Sequence, residues 1–224
     1  MGETIEIRAP DRAAEAYLSA AAGKPGVLLY VDAIGLRRQI QEMCDRIASW
    51  GYVVLAPHVL YRDGSAAALA PHGDLREAGA RETFFGSGVM DRVSALTPDR
   101  AGPDAQAWMA TLLRHAGDGP VGTVGYCMGA RLAVRTGGQF PGSVAAVGGF
   151  HGGGLVTEES QSPHLAIAAS TAADAFGHAD QDGSMPLEAV QTLEEALTGA
   201  GWEHVNNEIY EGAPHGYSMA DTSM

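Results

Sequence analysis

Val121-Gly122-Thr123-Val124-Gly125-Tyr126-Cys127-Met128-Gly129-Ala130-Arg131-Leu132-Ala133-Val134-Arg135 is the stretch on which the fold turns. Its apolar beginning, 121–124, reads as a short buried strand, and 130–135 reads as the start of a helix. Between them stands a sharp turn with glycine two positions either side of Cys127. Such a strand–turn–helix elbow forces strained angles on its central residue and carries a nucleophile at its tip. Gly125 and Gly129 let strand and helix approach closely. A thiol at that position faces a helix N-terminus, which favours thiolate. Taken alone, the pattern also fits a glycine-rich turn holding a buried cysteine.

The flanking sequence alternates strands with helices. Thr4–Arg8 and Glu15–Ser19 read as strands, the first at an edge. Gly26–Val31 is continuously apolar, as a strand buried on both faces requires. A helix is predicted over Leu36–Trp50, with Ile40, Cys44 and Ile47 on one side and Gly51 as its stop. Tyr52–Ala56 is the next buried strand, halted by Pro57. Residues 58–103 carry scattered Arg, His, Gly and Pro, with a helical portion near Leu75–Leu96. A helix over Pro103–His115 precedes the elbow strand, and the elbow helix runs to about Phe140. Strands follow at Ser143–Gly149, Ala172–Phe176 and His204–Tyr210, with a helix over Pro186–Ala200. The pattern predicts an α/β fold: a mostly parallel central sheet with helices on both faces, in one domain over 1–224. In such sheets the site lies beyond the carboxyl ends of the strands. Cys127, Asp32, His151, Asp182 and His215 all fall just after predicted strands.

An elbow nucleophile needs a base within hydrogen-bond reach, and the base needs an orienting acid. The chain order expected on an elbow of this kind is nucleophile, acid, histidine. Cys127 is followed by Asp180-Gln181-Asp182 and then by His215, held between Pro214 and Gly216 after the last strand. The local pattern does not choose between Asp180 and Asp182. His151 and His178 are alternative bases; His151 follows a strand beside the elbow and is placed in the pocket, whereas His178 reads as structural. His58, His72, His115, His164 and His204 read as surface or helix residues.

Five segments together resemble the dienelactone hydrolase family, the cysteine-nucleophile branch of the α/β-hydrolases. They are Pro25–Gly35, Ala56–Arg62, the elbow Gly125–Gly129, Gly177–Asp182 and Tyr210–Gly216. The resemblance covers most of the chain and implies an α/β-hydrolase acting on small esters or lactones through an acyl-thioester. It implies Cys127 as nucleophile, Asp182 as acid and His215 as base, with the N–H groups of Ala33 and Met128 as the oxyanion hole. Asp32 falls where members carry a glutamate against the resting thiol, and is one methylene shorter. Arg62, His151 and Tyr126 are further pocket candidates. Members acting on dienelactone place a carboxylate-binding arginine four residues after the catalytic histidine. That position is Met219 here, so neutral activated esters or lactones are expected to be turned over better than carboxylated dienelactones.

Composition narrows the alternatives. The chain has 224 residues, 46% hydrophobic and 18% charged, ample for a full core. A net charge of −13 argues against nucleic acid or anionic membrane as a partner. Two cysteines, Cys44 and Cys127, make no disulfide framework, and Cys44 reads as a small core residue. Neither a signal pattern nor a membrane-length apolar run is present, so a cytoplasmic protein is expected, monomeric or homodimeric. No metal motif, phosphate loop or dinucleotide fingerprint is found, and no cofactor is expected. A cysteine elbow of the glutamine amidotransferase kind would place its histidine before the acid, opposite to this order. The remaining alternative is a non-catalytic hydrolase-fold protein that uses Cys127 as an oxidisable thiol.

Overall fold

A computed structural model describes residues 2–19, 23–201 and 206–222. Within them the chain forms two compact units. The first comprises residues up to Gly26, Val31–Asp118 and the segment from Met219 onward. The second comprises Val27–Tyr30 and Gly119–Ser218.

In the first unit, β1 (Glu3–Arg8) pairs antiparallel with β2 (Ala13–Ser19), and β2 pairs antiparallel with β4 (Val53–Pro57). The strand β3 (Gly26–Tyr30) begins in this unit and continues in the second. All five residues of β4 are buried, which accounts for their unbroken apolar character. Helix α1 (Arg38–Ser49) covers β2 and β4 with Ile40 and Cys44, and Gly51 closes it at φ +100, a conformation that favours glycine.

The expected helix near 75–96 is two shorter ones, α3 (Ala80–Phe85) and α4 (Val89–Ala95), after a single turn α2 (Ala66–Leu69). The break has a local cause: Gly79 and Gly88 take left-handed φ values of 76 and 84 and start each helix anew. Helix α5 runs over Pro98–His115, five residues longer at its start than the sequence pattern suggested. Pro98 takes the first helical position, where its missing N–H costs nothing. Pro103 instead sits inside the helix. Trp108, Met109 and Leu112 form the buried face of α5, with Tyr61 edge-on to Trp108 at 5.9 Å.

In the second unit the strands are parallel. The order is β3, β5 (Val121–Tyr126), β6 (Val144–Phe150), β7 (Ala173–Ala179), β8 (Asn207–Tyr210). Helix α6 (Met128–Gln139) packs on β5 and β6 and on a 3₁₀ segment at Pro163–Ala169, which α7 (Leu187–Gly199) also contacts. Leu28, Leu29, Leu132, Val134, Phe176, Leu193 and Leu197 supply much of the core. The expected last strand began at His204; residues 204 and 205 lie outside the described residues, and the strand is seen from Asn207. This is an α/β-hydrolase fold. Among the described residues no helix is long and apolar enough to cross a membrane.

Candidate active site

The carboxyl ends of the parallel strands converge on one set of side chains in the second unit. Cys127 follows β5, His151 follows β6, Asp182 follows β7, and His215 follows β8. Cys127 holds φ 53 and ψ −119, one of two non-glycine residues with positive φ among the described residues; His151 at φ 40 is the other. Such angles are strained for a side chain with a β-carbon and persist only where the surroundings hold them. The Cys127 N–H donates to the Phe150 carbonyl at 3.1 Å, which helps to fix the turn. Gly125 permits it as well: a β-carbon there would lie 2.0 Å from the Gly129 carbonyl oxygen.

His215 Nε2 lies 3.2 Å from Cys127 Sγ, and His215 Nδ1 lies 2.5 Å from Asp182 Oδ2. Asp182 is buried and its other oxygen accepts from the Ser184 N–H at 2.8 Å and the Ser184 hydroxyl at 2.6 Å. Burial opposes ionisation of Asp182, but the bonds from His215 and Ser184 outweigh it and hold its carboxyl below the usual range. Burial likewise opposes a charge on His215. The Asp182 and Cys127 contacts prevail, and its pKa is raised to about 10. Asp180, the other acid of the loop, is exposed; it accepts from the Gly212 N–H at 3.2 Å and fastens the start of the histidine loop.

His151 is buried 5.3 Å from the His215 ring, with its Nε2 2.7 Å from the Ser218 hydroxyl. Burial and the charge of His215 push its pKa down to about 4, so it is neutral beside His215. Tyr126 stacks on Phe150 at 5.8 Å and lies 6.1 Å from His151. His178 is bonded to Asn207 through Nε2, in keeping with a structural role. Met128 is the first residue of α6, directly after Cys127.

The remaining expected residues lie in the first unit. Ala33 is buried in the turn after β3. Asp32 is buried and fully engaged there: it accepts from the Ile34 and Gly35 N–H groups and from both terminal nitrogens of Arg37, at 2.6 and 3.0 Å. Arg37 also binds Asp221. Arg62, expected in the pocket, is instead tied to the buried Asp104 at 2.6 and 2.9 Å, to Asp11, and to the Tyr61 ring face. A buried carboxylate needs such a partner, which explains the pairing. His58, expected at the surface, is buried and bonded to the Gly64 carbonyl.

Ser184, bonded to Asp182 in the candidate site, is a contact that the sequence pattern did not single out. A serine two residues after an acid is a common turn signal, so the Asp-x-Ser spacing was visible without naming its role. Cys44, by contrast, is where it was expected: it is fully buried, and burial raises its thiol pKa.

The model of the dienelactone hydrolase family matches residues 13–223. A Yersinia pestis protein named "Putative carboxymethylenebutenolidase" is 26% identical over 215 residues, covering 88% of this chain and 74% of its own. A Synechocystis protein of the same name is 28% identical over 202 residues, covering 86% and 75%. Among solved structures, a Klebsiella pneumoniae protein titled "Putative Dienelactone Hydrolase" superposes with a TM-score of 0.78 at 20% identity, over 100% of this chain and 91% of that one. A dienelactone hydrolase-like promiscuous phosphotriesterase from metagenomic libraries gives 0.65 at 16% identity, over 100% and 90%. At these identities the structural likeness shows the fold alone.

Proposed function

The chain belongs to the dienelactone hydrolase family, and from that premise we propose that it is a cysteine-dependent hydrolase of small activated esters or lactones. The observation that carries this reading is the pair of contacts made by His215, 3.2 Å to Cys127 Sγ and 2.5 Å to Asp182, at a strained elbow. Proteins named as carboxymethylenebutenolidases among the relatives support an ester or lactone as the substrate class.

The chemistry follows from the charges. With a pKa of about 10, His215 holds its proton through neutral pH and faces the sulfur as an imidazolium. Sulfur attacks the ester carbonyl carbon, the C–S bond forms, and the carbonyl π pair moves onto oxygen. The Met128 N–H, at the start of α6, is the donor that the second unit offers to this oxyanion. Ala33, the other expected donor, belongs to the first unit. Collapse breaks the C–O bond, and the departing alkoxide or enolate takes the proton from His215 Nε2. Water then attacks the thioester carbon while His215, now neutral, removes the water proton. Collapse of the second intermediate breaks the C–S bond, releases the acid and leaves the proton taken from water on His215. A thiolate expels a plain alkoxide poorly, so substrates with a stabilised leaving group, enol lactones and aryl esters, suit it best.

The pH dependence follows with its sign. kcat/KM reports groups of the free enzyme. For an alkyl ester, whose leaving group needs the His215 proton, kcat/KM is expected to hold through neutral pH and to fall above about pH 10. A 4-nitrophenyl ester needs no proton on its leaving group and should show a weaker alkaline loss. Steady-state rates between pH 6 and 11 on both esters test this. A limb near pH 7 that is equal for both would contradict a protonated resting histidine.

A further inference from the structure

His151 is the second strained residue of its unit, and the chemistry above gives it no part. It follows β6 at φ 40, in the left-handed region that is costly for a residue with a β-carbon. Two contacts hold the turn in that shape. The His151 N–H donates to the Gly177 carbonyl at 2.8 Å. Gly152, next in the chain, packs so closely on α6 that a β-carbon there would lie 2.8 Å from the Ala130 β-carbon. Strain of this kind persists only where the surroundings over-determine it, and it concentrates where a side chain must be placed.

The side chain so placed is buried and makes one hydrogen bond, from Nε2 to Ser218 Oγ at 2.7 Å. Its Nδ1 has no partner among the described residues. A buried N–H without an acceptor costs more than a lone pair without a donor, so the proton of the neutral ring is on Nε2 and the ring donates to Ser218. The bond goes to Ser218 and not to Cys127, whose sulfur His215 contacts. The His151 ring stands edge-on to two rings of the histidine loop, His215 and Tyr217, each at 5.3 Å.

That loop is fastened on both sides of His215. Before it, the Asp180 carboxylate binds the Gly212 N–H, and the Asp180 N–H donates to the Ala213 carbonyl at 3.1 Å. After it, the Tyr217 hydroxyl donates at 3.1 Å to the Gly177 carbonyl, the acceptor that also takes the His151 N–H. Ser218 is the last residue of this unit, so its bond to His151 is made where the chain leaves the unit.

We propose that His151 is a positioning residue: through Ser218 it fixes the histidine loop so that His215 meets Cys127 and Asp182 together. The proposal rests on the hydrolase reading above. His215 must reach its two partners from opposite ring nitrogens, 3.2 Å to sulfur and 2.5 Å to carboxylate, and a tilt that keeps one contact loses the other. A neutral ring suits the place of His151, because a second cation beside the imidazolium would repel it.

The test compares Ser218→Ala, Ser218→Thr, His151→Phe and the double variant Ser218→Ala with His151→Phe, on 4-nitrophenyl acetate. Loss of the bond is expected to lower kcat about ten- to a hundredfold with KM within about threefold, since the attack of water on the acyl-enzyme needs His215 in place. Both single variants remove the same bond, so the double variant should be no worse than the poorer single one. The His215 ring protons, followed by NMR, should titrate at a pH about one unit or more below the wild type in Ser218→Ala, because a loosened ring gives up the Asp182 and Cys127 contacts that raise its pKa. Ser218→Thr keeps the hydroxyl and should stay near the wild type in both readings. An unmoved titration in Ser218→Ala, or losses that multiply in the double variant, would overturn the proposal. Should His151→Phe fail to fold, the two Ser218 variants decide alone: a lowered titration in Ser218→Ala only supports the proposal, and equal titrations overturn it. If the folded wild type hydrolyses no ester, the hydrolase reading falls, and the same titrations still decide whether His151 places His215.

Discussion

Cys127→Ala is expected to lower kcat/KM for a 4-nitrophenyl ester by about 10⁵–10⁶-fold, the scale of losing the nucleophile in an enzyme that forms a covalent intermediate. What remains would come from the oxyanion donors and from binding. Cys127→Ser is expected to be nearly as poor. A hydroxyl is far harder to ionise than a thiol, and it must give up its proton to His215 during the attack. Serine also carries the smaller atom: the contact from His215 Nε2 is 3.2 Å to sulfur, and a shorter C–O bond lengthens it. Circular dichroism of each variant separates lost chemistry from lost fold. If Cys127→Ala kept substantial activity, another nucleophile would be at work and Cys127 would revert to an oxidisable thiol.

The second large effect belongs to the acid loop. Asp182→Asn is expected to cost about 10²–10⁴-fold in kcat, because an amide at that place favours the wrong tautomer of His215 and withdraws the charge that supports the imidazolium. The same change should bring the His215 pKa down from about 10, since the Asp182 hydrogen bond is a leading cause of its rise. Titration of the His215 ring protons by NMR reads that shift directly. Asp180→Asn should stay within about threefold, since Asp180 is exposed and holds only the Gly212 N–H. The reverse ranking would move the acid by two residues and undo the assignment of the loop.

The proposed triad is legible in the sequence because each member sits at a place where the chain must turn. Glycines frame Cys127, a strand end and an acid pair frame Asp182, and Pro214 with Gly216 frames His215. The parallel strands were equally readable, being short apolar runs between such turns. Residues 58–103 resisted for a physical reason: their helices are only four to seven residues long before α5, too short for a helical period to show. Pro103 misled because proline more often opens a helix than sits within one, and Pro98 had the better claim. A buried charge pair such as Arg62 with Asp104 joins residues distant in the sequence, and no spacing announces it. Ser184 was hidden for the opposite reason. It lies in a plain turn position, and only its hydrogen bonds to Asp182 bring it into the candidate site.

Trapping the acyl-enzyme tests the central claim most directly. The protein is mixed with an excess of a 4-nitrophenyl ester, quenched in acid within the first turnover, digested and weighed by mass spectrometry. The account predicts one acyl group per chain, on the peptide that carries Cys127, removable by neutral hydroxylamine as a thioester is, and absent from Cys127→Ala. An acyl group on a serine, or on Cys44, would contradict it, as would a burst of 4-nitrophenol that persists in Cys127→Ala.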